Sequence, residues 1–158
     1  MKDITFHLAG PDDAKTLTDY RIRFAIELSG PQEPEKILQL SEQTHEFFIS
    51  TMNTSCISVI AKSGSDVAGI GSVHIRQLPG NFKNPGGKWG YIMNMYTVPA
   101  YRRKGVGSKI LNELITHGKA AGITAFELHA TKEGELVYSR TGFEPHHEPT
   151  YRKFIHSV

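Results

Sequence analysis

Hydrophobic and polar positions along this chain change period several times, and each change marks an element. Residues 4–8 alternate in strand fashion, after which Pro11, Asp12 and Asp13 supply a helix start for a segment running to about Leu28. Gly30 and Pro31 stop it. A second helix is predicted from Pro34, a residue suited to the first helical turn, with Ile37, Leu38, Phe47 and Phe48 on or near one face. Residues 56–61 and 67–76 are β-branched runs separated by Lys62, Ser63, Gly64, Ser65 and Asp66, which reads as a hairpin. Pro, Gly and Asn dominate residues 78–89 and predict a surface loop. Residues 91–98 then read as a strand ending at Pro99, and Val106, Ile110, Leu111, Leu114 and Ile115 fall on one face of a helix that Gly122 ends. A strand over residues 123–130, a helix through Tyr138 and a last strand over residues 150–156 complete the order β, α, α, β, β, β, α, β, α, β, β.

Composition fits one domain spanning residues 1–158, a length that buries about 70% of the surface its unfolded form would expose. Hydrophobic residues at 39% and charged residues at 22% describe a globular protein without low-complexity segments or repeats. A net charge of +2, with acidic residues interspersed among basic ones, is too mild to argue for a nucleic-acid partner. The single cysteine, Cys56, excludes an internal disulfide and reads as a small core residue. Met1, Lys2 and Asp3 do not begin an apolar leader, and no span has the length to cross a bilayer, so a cytoplasmic location without a membrane partner is expected.

The stretch Tyr101, Arg102, Arg103, Lys104, Gly105, Val106, Gly107, Ser108 joins the apolar strand to the amphipathic helix. The first amides of a helix lack intrahelical acceptors, and the dipole places roughly half a positive charge there, so an anion is the natural partner. Gly105 and Gly107 allow close approach of that anion, and Arg102, Arg103, Lys104 and Lys109 add positive field. Neither the P-loop pattern nor the dinucleotide GxGxxG fingerprint is present.

Arg102, Gly105 and Gly107, preceded by a strand and by Val98 and Pro99, resemble the acyl-CoA signature of the GCN5-related N-acetyltransferase (GNAT) family: Gln or Arg, two residues, Gly, one residue, then Gly or Ala. Leu136, Val137, Tyr138, Ser139, Arg140, Thr141, Gly142 and Phe143 resemble the family's "lYeklGF" segment, and the two motifs stand in family order with a strand between them. Together they span about a third of the chain. The resemblance implies an α+β fold with a mixed, mostly antiparallel sheet of six to seven strands, about four flanking helices, and parallel fourth and fifth strands that splay apart for the pantetheine arm. It also implies acetyl-CoA as cosubstrate, no metal, and transfer of the acetyl group to a primary amine by direct attack in a ternary complex. Backbone at Met95, Tyr96, Thr97 and Val98 would meet the thioester, amides from Arg103 to Ser108 would hold the pyrophosphate, and Tyr138 would be the general acid.

Acetyl transfer needs a neutral amine, and a lysine-like amine with a pKa near 10.4 must lose a proton before attack. Many relatives carry a glutamate on the strand before the cradle, whereas residues 91–98 hold Asn94 and no carboxylate. Asn94 can orient water or the acceptor and cannot take a proton. Deprotonation then falls to water or to a group from elsewhere, with Glu27, His129 and Tyr96 as candidates. His146, His147 and Glu148 lack the spacing of zinc sites and read as an exposed loop. Glu27, Glu33, Glu35, Glu42 and Glu46 would attract a cationic amine, which leaves a small molecule, a peptide terminus and a protein lysine as acceptors. A catalytically silent acyl-CoA sensor on the same fold is the competing reading, a nucleic-acid binder a third, and a homodimer is an open assembly state.

Overall fold

The computed structural model describes residues 3–155. It begins with strand β1 (Ile4–Leu8), followed by a short 3-10 turn (Pro11–Asp13) in which the Asp13 carboxylate accepts from the Gly10 N–H at 2.9 Å. Helix α1 (Ala14–Ser29) ends where Gly30 adopts a φ of 80°, and its N–H donates to the Ile26 carbonyl. Helix α2 (Pro34–Thr51) starts with proline in its first turn, where the missing N–H has no helical partner to lose. Strands β2 (Cys56–Ser63) and β3 (Asp66–Gln77) form the expected hairpin, turning through Gly64 at a φ of 66°. Strand β4 (Lys88–Thr97) starts earlier than its hydrophobic run suggests, because Lys88 and Trp89 pair with Gln77 and Arg76 across the loop. Helix α3 (Val106–Ala120), strand β5 (Ala125–Leu128) and the short helix α4 (Glu135–Arg140) follow.

The five strands lie in the order β1-β2-β3-β4-β5, antiparallel except for the parallel pair β4 and β5. This is the mixed, mostly antiparallel sheet expected, with a smaller strand count among the described residues. Residues 150–155 form no strand and are exposed, and His156 lies outside the described residues. Tyr151, Phe154 and Ile155 have strand propensity, but a strand is stabilised by a face that it buries, and these three side chains are exposed.

Two apolar layers hold the sheet. On one face Val106, Ile110, Leu111 and Leu114 of α3 pack on Val59, Val73 and Ile92; on the other, Leu17 of α1 and Phe48 of α2 pack on Ile60, Ile70 and Tyr96. The α3 layer comes close because β3 carries Gly69 and Gly71 beneath it: a Cβ on Gly71 would stand 2.5 Å from Ile110 Cγ2.

A bulge interrupts the register of β4. Ile70 pairs with Tyr96 and Ser72 with Met93, which leaves Asn94 and Met95 together opposite Gly71. Asn94 takes a φ of 58°, a left-handed conformation that asparagine tolerates better than most residues. The inserted residue reverses the alternation. Before it, Ile92 joins the α3 layer and Met93 the α1–α2 layer; after it, Met95 joins the former and Tyr96 the latter.

Candidate functional site

The turn into α3 is built to leave amides unpaired. A 3-10 turn (Pro99–Tyr101) carries the chain off β4, and Arg103 and Gly105 then adopt φ values of 62° and 78°. The first backbone bond entering the helix runs from Lys109 N–H to the Gly105 carbonyl at 3.1 Å, so the amides from Arg103 to Ser108 have no backbone acceptor. Space at the turn is open. A Cβ on Gly105 would meet nothing within 4 Å, and one on Gly107 would touch only Thr97 Oγ1 at 3.6 Å. Lys104 Nζ donates to the Ala100 carbonyl at 3.0 Å, close to the turn. Lys109 points elsewhere, its Nζ over the Phe6 ring of β1.

Arg102, Glu27, Tyr96 and Thr97 form one cluster behind this turn. The Arg102 Nη2 donates to both carboxylate oxygens of Glu27 at 2.8 and 2.9 Å, and its Nε donates to the Thr97 carbonyl at 2.9 Å. Tyr96 is buried under the guanidinium, 5.6 Å from ring centre to Cζ. Burial, followed by the influence of the Glu27 carboxylate, pushes the Tyr96 pKa above 10.0. The structure thus joins four candidate residues that the sequence separates by up to 75 positions.

Between β4 and β5, pairing stops at Ile92 and Leu128. Beyond that point, among the described residues, no strand pairs with the outer edge of β4 along Met93 to Thr97. Val98 is less available, since its N–H donates to the Ala68 carbonyl at 2.9 Å. Asn94 lies on this stretch without a β5 partner, only 4% exposed, with neither Nδ2 nor Oδ1 hydrogen-bonded.

Tyr138 stands on α4 with its ring edge-on to Phe143, 6.2 Å between centroids, and both rings pack against the α3-side core. Gly134 leaves room for it; a Cβ there would stand 2.8 Å from the tyrosine Cε2. Gly142 takes a φ of 92° and turns the chain so that Phe143 N–H reaches the Tyr138 carbonyl at 3.0 Å. Burial pushes the phenol pKa above 10.0, which keeps its proton in place at neutral pH.

The remaining candidates lie apart from this cluster. His129, exposed just beyond β5, meets the Tyr91 ring edge-on at 5.8 Å. His146 and His147 stack on each other in an exposed loop. Cys56 is buried, and burial raises its thiol pKa above 9.0. Among the described residues no group of three or more His, Cys, Asp or Glu is arranged to hold a metal ion, and no helix is long and apolar enough to cross a membrane.

Sequence reasoning missed the Arg102–Glu27 pair and the β4 bulge. The pair has no local sequence signal. The bulge had two: an asparagine inside an apolar strand, and two glycines at alternate positions on its neighbour, the usual mark of a close approach.

The sequence model of the acetyltransferase (GNAT) family matches residues 22–143. Among solved structures, a predicted acetyltransferase with acetyl-CoA from Clostridium acetobutylicum superposes with a TM-score of 0.85 at 24% identity, covering 96% of each chain. A GCN5-related N-acetyltransferase from Ralstonia eutropha JMP134 gives 0.81 at 20% identity over 96% of this chain and 99% of the other. Glucosamine-6-phosphate N-acetyltransferase from Arabidopsis thaliana gives 0.67 at 17% identity over 98% and 100%. No curated protein sequence matches the chain.

Proposed function

We propose, because this chain belongs to the GNAT acetyltransferase family, that it uses acetyl-CoA to acetylate a primary amine by direct attack in a ternary complex. The observation that carries this reading is the run of unbonded amides from Arg103 to Ser108 at the start of α3, beside a β4 edge left open by β5. In this reading the amides of Arg103, Lys104, Gly105, Val106, Gly107 and Ser108 hold the pyrophosphate, with the helix dipole and the Arg103 and Lys104 charges behind them. The open edge at Met95, Tyr96 and Thr97 receives the pantetheine arm and thioester by backbone hydrogen bonds.

The amine attacks the thioester carbon after losing a proton to water, the carbonyl π pair moves onto oxygen, the now cationic nitrogen releases a second proton to water, and the returning pair expels the thiolate. Tyr138 then gives its proton to the sulfur. Its raised pKa supports an acid that is loaded at neutral pH. Water is assigned the base role because both Glu27 oxygens are already engaged by Arg102, so that carboxylate braces the cradle. Acceptor identity, a cytoplasmic setting and homodimer formation complete the reading as expectations.

The test is release of free thiol from acetyl-CoA across a panel of small amines, peptide N-termini and lysine peptides, with calorimetry for CoA itself. Saturable CoA binding with turnover on one amine class supports the enzyme. Binding without turnover on any of them favours the silent acyl-CoA sensor, a reading supported by the absent β4 carboxylate. No binding of either form of the cosubstrate overturns both.

A further inference from the structure

Asn94 combines three properties that a purely structural residue has no reason to combine. Its backbone is left-handed, with a φ of 58°. Its side chain is 96% buried, being 4% exposed. Neither Nδ2 nor Oδ1 has a hydrogen-bond partner. A left-handed position alone would be served by glycine, which adopts it without strain and buries nothing polar. An asparagine there instead buries a donor and an acceptor unpaired, which costs free energy in the unliganded protein. The residue also stands at the bulge, two positions past Ile92, where β4 loses β5 and its outer edge opens.

We infer that the Asn94 carboxamide touches the reacting groups, donating from Nδ2 to the carbonyl oxygen of the thioester and accepting at Oδ1 from an N–H of the attacking amine. This rests on the acetyl-transfer reading and adds a side-chain contact to it. As the N–C bond forms and the carbonyl π pair moves onto oxygen, the Nδ2 donor meets growing negative charge. At the same time the amine nitrogen becomes positive and its N–H a stronger donor to Oδ1. Both bonds therefore strengthen toward the transition state. Asn94 takes no proton; the ammonium proton leaves to water, and the thiolate is protonated separately.

The test needs no knowledge of the natural acceptor. Acetyl-CoA labelled with 13C at the thioester carbonyl is bound to the full chain, and its carbonyl stretch is followed by isotope-edited infrared spectroscopy. In the wild type the stretch moves to lower wavenumber than in free acetyl-CoA, and in Asn94→Gly that displacement shrinks. CoA affinity stays within about threefold, and the free-protein Tm is unchanged or higher, because an unpaired buried amide has been removed. Asn94→Asp, which keeps the shape and removes the Nδ2 donor, loses the displacement as well and covers the case in which the glycine variant does not fold. With any amine that turns over, kcat of Asn94→Gly falls roughly 10²- to 10³-fold, the size seen on removing one oxyanion donor.

An identical stretch in wild type and variants overturns the inference while leaving acetyl transfer intact, and so does a lowered Tm with unchanged kcat, which would make the residue structural. An internal water as sole partner gives the first of these results. Failure of the wild type to bind acetyl-CoA overturns the parent reading, and this one falls with it.

Discussion

Arg102 grips Glu27 with one nitrogen, Nη2, lying 2.8 and 2.9 Å from the two carboxylate oxygens, while its Nε holds the Thr97 carbonyl. The first residue of the cradle signature therefore ties the end of α1 to the end of β4. Its side chain shapes the turn, and in the proposed function the amides after it are left for the anion.

Glu27→Gln separates bracing from base catalysis. The pair is partly exposed, with side chains 35% and 39% accessible, so its loss is expected to cost no more than about 1 kcal/mol of stability. The kcat is expected to stay within about threefold, with an unaltered pH profile. A drop of about 10²-fold or more, with loss of the rising limb of that profile, would return the base role to Glu27.

Gly107→Ala opposes folding to binding. The added Cβ meets only Thr97 Oγ1 at 3.6 Å, an ordinary contact, and alanine favours a helical position by up to about 1 kcal/mol over glycine. The free protein is expected to melt slightly higher. CoA affinity should fall by about tenfold or more, because the methyl group occupies the space through which a diphosphate reaches the amides. Thermal melts and titration calorimetry on the same preparation read both effects.

Tyr138→Phe should lower kcat by about 10²-fold or more and leave CoA affinity unchanged. Burial raises the folded-state pKa of this phenol above its unfolded value near 10. Such a group contributes stability that is fully present below the unfolded pKa and is lost as pH rises through the folded one. The wild type should thus lose stability above pH 10 more steeply than the phenylalanine variant in melts between pH 8 and 11. Ionisation of the phenol should not depress turnover below pH 10.

Gly71→Ala probes the close approach under the bulge. Its Cβ would stand 2.5 Å from Ile110 Cγ2 and 2.6 Å from Met95 Sδ, inside the packed α3 layer. A destabilisation of about 1–3 kcal/mol is expected from overpacking, seen as a lower urea midpoint. Gly86→Ala, where nothing lies within 4 Å and no unusual φ is required, is the matched control and should change little.

Much of this fold could be read from the chain because its helices carry their own punctuation. Pro34 opens α2, Gly30 closes α1, and the apolar face of α3 runs through Val106, Ile110, Leu111 and Leu114, all of them buried. The turn into α3 was equally visible, since a helix start with glycines at alternate positions is a local pattern. The segment 150–155 misled because Tyr151, Phe154 and Ile155 carry strand propensity whether or not an edge awaits them. The pairing of Glu27 with Arg102 and the unsatisfied amide of Asn94 depend on how distant elements meet, and periodicity within one element holds no information about either.

The one-residue insertion in β4 has a consequence for chain length. Because Asn94 and Met95 share the place opposite Gly71, losing Asn94 would leave Met93 opposite Ser72 and Tyr96 opposite Ile70, with Met95 still on the α3 layer and Tyr96 still beneath Arg102; only the bulge and its left-handed residue would go. Apart from buried Asn84, whose Oδ1 accepts from the Thr124 hydroxyl, residues 78–87 connect two paired strand ends through local bonds and can absorb added or lost residues cheaply. Length variation in this protein is therefore tolerable at the tip of the β3–β4 hairpin and, as the loss of one residue, at the bulge, since neither turns the paired residues of the ribbon to the other face.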